Sequence, residues 1–166
     1  MFQDFKDLLS SLNASRVKYL IIGGYAVAFH AQPRTTKDLD ILVKPDAANA
    51  AALLRALKAF GAPVSTIKAA DLIEDRKFFR FGAPPVMVDI LSSISGIEFD
   101  AAWKRRVKMT IDAERKLKAN VISREDLIVA KLAAGRPQDL ADVDAVRKAT
   151  KATESSHKPR RSRTKT

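Results

Sequence analysis

The chain has 166 residues, of which 46% are hydrophobic and 30% charged, a length and balance for one domain with a short appendage. It contains no cysteine and two histidines, which excludes disulfides, thiolate nucleophiles and cysteine- or histidine-built metal clusters. Its formal charge of +11 is uneven, because residues 147–166 hold eight Lys and Arg against Glu154, or +7, leaving +4 for residues 1–146.

Phe2, Phe5, Leu8, Leu9 and Leu12 recur at helical spacing and predict an amphipathic helix over residues 2–13. That opening is acidic and amphipathic rather than basic then apolar, which argues against a secretory signal. With no run of 18 apolar residues, a cytoplasmic protein without a membrane span is expected. Val17 to Ile22 reads as a strand, Gly24 to Gln32 as a short alanine-rich helix stopped by Pro33, and Leu39 to Val43 as a second strand. Asp46 is a natural N-cap for a helix striped by Leu53, Leu54, Leu57 and Phe60 and ended by Gly61. Residues 64–75 are ambiguous between a short strand at Val64 to Ile67 and turns. Lys77 to Phe81 and Val86 to Leu91 flank Gly82-Ala83-Pro84-Pro85 and predict an antiparallel hairpin.

Gly96 to Trp103 has the pattern of a short helix, and Val107 to Ile111 and Leu117 to Val121 that of paired strands. Ser123, with Asp126 three residues on, opens a helix through Ala134 with Leu127, Ile128 and Leu132 inward. Gly135 ends it, and Pro137 starts another carrying Leu140, Val143 and Val146. Mixed strands with helices outside them predict an α/β (α+β) architecture, a mixed twisted sheet flanked by helices with C-terminal helices. Apolar periodicity ends at Lys148, so residues 1–148 are expected to form the domain and 149–166 a basic disordered tail. Such a tail serves solubility, or holds nucleic acid through its phosphates.

The segment from Tyr19 to Val43 carries the chemistry. In a strand, residues i and i+2 share a face about 6.5–7 Å apart. Asp38 and Asp40 therefore converge, while Leu39, Ile41 and Val43 face a core. Carboxylates at those positions suit either a solvated strand face or a cation held between them. Magnesium takes one or two carboxylates plus substrate phosphates. Gly23-Gly24 is either an ordinary strand-to-helix turn or one whose bare backbone lets phosphate approach a helix N-terminus. His30 reads as packing or a cap. Trp103 with Lys104-Arg105-Arg106 suits an ordinary helix end as well as a stacking and phosphate patch.

Gly23-Gly24, thirteen further residues, Asp38-Leu39-Asp40 and a lone Asp89 inside the apolar run Val86 to Leu91 together resemble the nucleotidyltransferase superfamily that includes DNA polymerase beta. The Arg34-Thr35-Thr36-Lys37-Asp38 approach is similar to that of the minimal bacterial branch of abortive-infection and toxin–antitoxin nucleotidyltransferases. So is the later stretch Lys131…Arg136-Pro137-Gln138-Asp139-Leu140-Ala141-Asp142. The resemblance implies that Asp38, Asp40 and Asp89 bind two magnesium ions and that Asp89 can take the proton of the attacking hydroxyl. It implies nucleotide contacts from Gly23, Gly24, Arg34, Lys37 and Lys131, with an NTP such as ATP as substrate. Gly24 stands where the family often has a serine that touches phosphate.

The implied acceptor is a hydroxyl on RNA (a tRNA end) or on protein, and the implied partner an antitoxin or cognate protein. Lys131 is otherwise a snorkelling lysine. Asp139 and Asp142 either pair with Arg136 or Lys148 or position an acceptor. Antibiotic nucleotidylation shares the Gly-Gly…Asp-x-Asp outline, but would favour an acidic pocket for a cationic drug, against the charge of this chain. A non-catalytic nucleic-acid or partner-binding module would have no reason to retain three carboxylates.

Overall fold

Helical periodicity builds the first layer. The computed structural model describes residues 1–32, 35–75 and 78–156, with side chains described to residue 152. Helix α1 (Gln3–Ala14) buries Phe5, Leu8, Leu9 and Leu12, the i, i+3, i+4, i+7 stripe of its sequence. Strand β1 (Tyr19–Ile21) is buried throughout and leads into α2 (Gly23–His30), after which β2 (Leu39–Val43) returns antiparallel to β1. Helix α3 (Ala47–Phe60) starts at Asp46, whose carboxylate accepts the Asn49 backbone N–H at 2.8 Å, and stops at Gly61 in the left-handed region, φ 89°. Asn49, buried, bonds the backbone of Lys18 and Lys44 and so ties α3 to the outer ends of β1 and β2. The ambiguous segment folds as turns and a short 3-10 helix at Ala69–Leu72, with Val64 and Leu72 buried and no strand.

The hairpin β3 (Phe78–Ala83) and β4 (Val86–Leu91) follows, then α4 (Phe99–Arg105), β5 (Val107–Asp112), β6 (Leu117–Val121), α5 (Arg124–Ala134) and α6 (Pro137–Ser156). Helix α4 begins later than the sequence suggests, because the Glu98 carboxylate caps the backbone N–H groups of Asp100 and Ala101. The strands form one mixed sheet in the order β3-β4-β2-β1-β6-β5. Its two central parallel pairings, β2 with β4 and β1 with β6, flank the antiparallel β1–β2 pair, and each outer strand belongs to a hairpin. This is the mixed α/β fold expected, six strands and six α-helices among the described residues. None of the helices is long and apolar enough to cross a membrane.

Two inward assignments are corrected. Leu132 is 45% exposed and Leu140 47% exposed. The buried face of α6 is Asp139, Asp142, Val143 and Val146, and Lys131 of α5 turns to meet it, so charged side chains hold the interior positions and rotate both leucines outward. Helix α6 also runs through Ser156, beyond the boundary drawn at residue 148. Of the expected tail, residues 157–166 lie outside the described residues.

Candidate active site

The inner end of the sheet is where the carboxylates gather. Asp40 of β2 stands in register with Asp89 of the parallel neighbour β4, so both side chains leave the same face of adjacent strands. Asp38 precedes β2 by one residue and shares the Asp40 face. On the other side of Asp89, the hairpin register places Arg80 opposite it. The Arg80 guanidinium donates to both Asp89 oxygens, Nε to Oδ1 at 2.7 Å and Nη2 to Oδ2 at 3.0 Å. Its Nη2 also lies 3.6 Å from Asp38 Oδ2.

The β1–α2 turn closes over Asp40. Gly23 has φ 61°, and a Cβ there would overlap the Asp40 carboxylate, so the turn requires glycine for both backbone and space. The Gly24 backbone N–H donates to that carboxylate. A Cβ on Gly24 would lie 2.6 Å from Thr36 Oγ1, so a threonine hydroxyl occupies the space that a side chain at Gly24 would take. Burial, then the charges of Asp89 and Asp38, push the Asp40 carboxyl up to about 6, against the Gly24 N–H and Lys131.

These groups line a pocket of about 910 Å³ that Gly23, Gly24, Lys37, Lys131 and Arg136 also reach. On its far wall Lys131, with 13% of its side chain exposed, donates at 2.8 Å to both Asp139 Oδ1 and Asp142 Oδ2. Arg136 Nε donates to Asp139 Oδ2 at 2.6 Å. Burial tends to raise the Asp139 carboxyl, but the hydrogen bonds from Arg136 and Lys131 outweigh it and hold it below the usual range. Of the options for Asp139 and Asp142, pairing is therefore what the structure shows, with Lys131 and Arg136 as partners.

The fold thus brings together Gly23, Gly24, Lys37, Asp38, Asp40, Asp89 and Lys131 around one pocket, while Arg34 lies outside the described residues. Lys131 is not a free cation but one already shared by two carboxylates. His30 lies off the pocket, its Nε2 at 2.7 Å from the Ile122 carbonyl oxygen, a packing role. Trp103 stacks on Phe99 and carries the Arg106 guanidinium 3.8 Å above its ring, outside the pocket. Arg80 and Thr36 are the participants that reading the sequence missed. Hairpin counting finds the first, since Ala83 opposite Val86 fixes Arg80 opposite Asp89.

The donor set suits a hard divalent cation. Three carboxylates offer only oxygen ligands, and among the described residues the half-exposed guanidinium of Arg80 is the cation paired with them. Among the described residues no three acidic or histidine side chains already stand around a metal position.

Residues 1–151 match the family described as a nucleotidyltransferase of unknown function (DUF6036). The match covers most of the chain, which therefore belongs to that family. No curated protein matches the chain.

Proposed function

From that membership we propose that the protein transfers a nucleoside monophosphate from an NTP to an acceptor hydroxyl and releases pyrophosphate. The observation that carries this is the convergence of Asp38, Asp40 and Asp89 on one pocket that also holds the Gly23-Gly24 turn, Lys37 and Lys131. The acceptor oxygen attacks the α-phosphorus, the bond to the bridging oxygen breaks, and the electron pair leaves with pyrophosphate. Asp89 is the group we assign to take the hydroxyl proton. Lys37 and the N-terminus of α2 favour the triphosphate charge, and Lys131 holds the opposite wall in place.

Asp38, Asp40 and Asp89 are the residues that would hold magnesium, and bound there it would neutralise phosphate charge and orient the reacting oxygens. The basic charge of the chain favours RNA as the acceptor, since phosphate attraction is sequence-blind and strong at low salt. The likeness of the Arg34–Asp38 and Lys131–Asp142 segments to toxin–antitoxin and abortive-infection enzymes supports a defence setting with a cognate protein partner.

Incubation with each α-labelled NTP and magnesium in cell extract, followed by separate nuclease and protease digestion, tests the proposal. Label removed by nuclease identifies an RNA acceptor, and label removed by protease a protein one. Label on neither, with all four NTPs, overturns the transferase assignment.

A further inference from the structure

Arg80 has no role in the reaction as described above, yet among the described residues it is the cation paired with the carboxylate cluster. Its fork uses both oxygens of Asp89 and reaches Asp38, and 48% of its side chain is exposed, so it sits at the pocket mouth and not in a packed core. It stands on β3, an edge strand of the sheet, where its backbone has a single neighbouring strand. At the same time Asp40 occupies the Gly24 N–H, a donor at the start of α2. A side chain of the chain itself therefore stands where each charge of a metal–triphosphate ligand would belong: a guanidinium for the cation, a carboxylate for the anion.

We propose that Arg80 is a built-in counter-ion of the Asp38, Asp40 and Asp89 carboxylates and becomes a phosphate ligand when a metal and nucleotide bind there. This rests on the nucleotidyltransferase reading above. A divalent cation among Asp38, Asp40 and Asp89 competes with the guanidinium for the same oxygens, and the two positive charges repel. Arg80, released but still anchored at the pocket mouth, then meets the nearest new anions, the phosphates of the nucleotide in that pocket. A planar fork of N–H donors matches phosphate oxygens as it matches a carboxylate, which a lysine ammonium does not.

The consequence is a pair of effects of opposite sign. In full-length protein without nucleotide, Arg80→Ala and Arg80→Gln should each bind Mn2+ about tenfold more tightly than wild type, since a competing charge has gone. The same variants should bind ATP, GTP, CTP or UTP with Mg2+ about tenfold more weakly, whichever nucleotide the wild type prefers. Arg80→Lys should recover little of the nucleotide affinity, and a melt of each variant with and without Mn2+ establishes folding. Unchanged or weaker Mn2+ binding in both neutral variants would overturn the counter-ion role, and unchanged nucleotide affinity would overturn the phosphate role. A wild type that binds Mn2+ but none of the four nucleotides would overturn the transferase reading and the phosphate role together, while the Mn2+ titration still decides the counter-ion.

Discussion

Two acidic clusters face each other across one pocket, and they are charged to opposite purposes. On the α5–α6 hairpin, Asp139 and Asp142 are buried against Lys131 and Arg136, two carboxylates with two cations at hydrogen-bond distance. At the sheet end, among the described residues, Asp38 and Asp89 pair with the guanidinium of Arg80, and the Asp40 carboxyl beside them is raised to about 6. The first cluster is satisfied by the chain alone. In the second, burial and the neighbouring carboxylates still raise Asp40, the arrangement expected of the ligand site proposed above. Identical side chains are thus paired within the chain in one place and, on the proposed function, held for a ligand in the other.

The comparison breaks most readily at Lys131. Lys131→Met leaves Asp142 buried without its ammonium and Asp139 with Arg136 alone, and losing one partner of a buried pair costs about 3–5 kcal/mol. Urea unfolding with EDTA present should show a loss towards the low end of that range, because Arg136 remains. A loss within about 0.5 kcal/mol, the size of an ordinary surface change, would mean that the hairpin does not depend on its ion pairs.

The sheet-end carboxylates should behave in the reverse way. Asp38→Asn, Asp40→Asn and Asp89→Asn should each lower nucleotide transfer by about 10²–10³-fold, the scale of losing one charge-stabilising group in a reacting site. The metal-free fold should keep its stability, and Asp40→Asn should gain some, since an ionised group is removed from a crowded site. An Asn variant that unfolds early yet still transfers nucleotide would make its carboxylate structural and erase the distinction between the clusters.

Much of this was legible in the sequence. β2 is found at its predicted bounds, because Leu39, Ile41 and Val43 alternate against Asp40 and the strand needs no tertiary help to declare its faces. The Gly23-Gly24 turn was legible as a turn, but the close approach of Asp40 that fixes Gly23 was not, because it depends on how β2 packs beside the turn. The α5–α6 hairpin was misread at Leu132 and Leu140 for a physical reason. A periodicity argument gives interior positions to apolar residues, and here Lys131, Asp139 and Asp142 take them as a mutually neutralising set. Only the pairing between two helices makes those positions tolerable, and no single helix reveals it. Arg80 escaped notice because its importance lies in a cross-strand register, although the hairpin turn contained the count.

The finest difference between the clusters is in their response to pH. A carboxyl raised on folding binds more protons in the folded than in the unfolded chain, so its contribution to stability is present at low pH and lost as pH rises. For Asp40 that loss falls between the ordinary value of 3.8 and about 6. Asp139, held low, has the opposite sign: its stabilisation is present above 3.8 and lost as pH falls through its folded value. In EDTA, the stability of Asp40→Asn relative to wild type should therefore climb from about pH 4 to pH 7 and level off above. The gain should be on the order of 1 kcal/mol, since the pocket is open to water and solvent screens part of the repulsion. Asp139→Asn should show no such climb in that window and should approach wild type only in stronger acid. Adding Mn2+ should remove the climb at Asp40, because the metal favours the charged carboxylate that burial and the neighbouring carboxylates disfavour. A flat difference across pH 4–7 in EDTA would mean that Arg80 alone balances the three carboxylates, and the two clusters would then differ in position but not in kind.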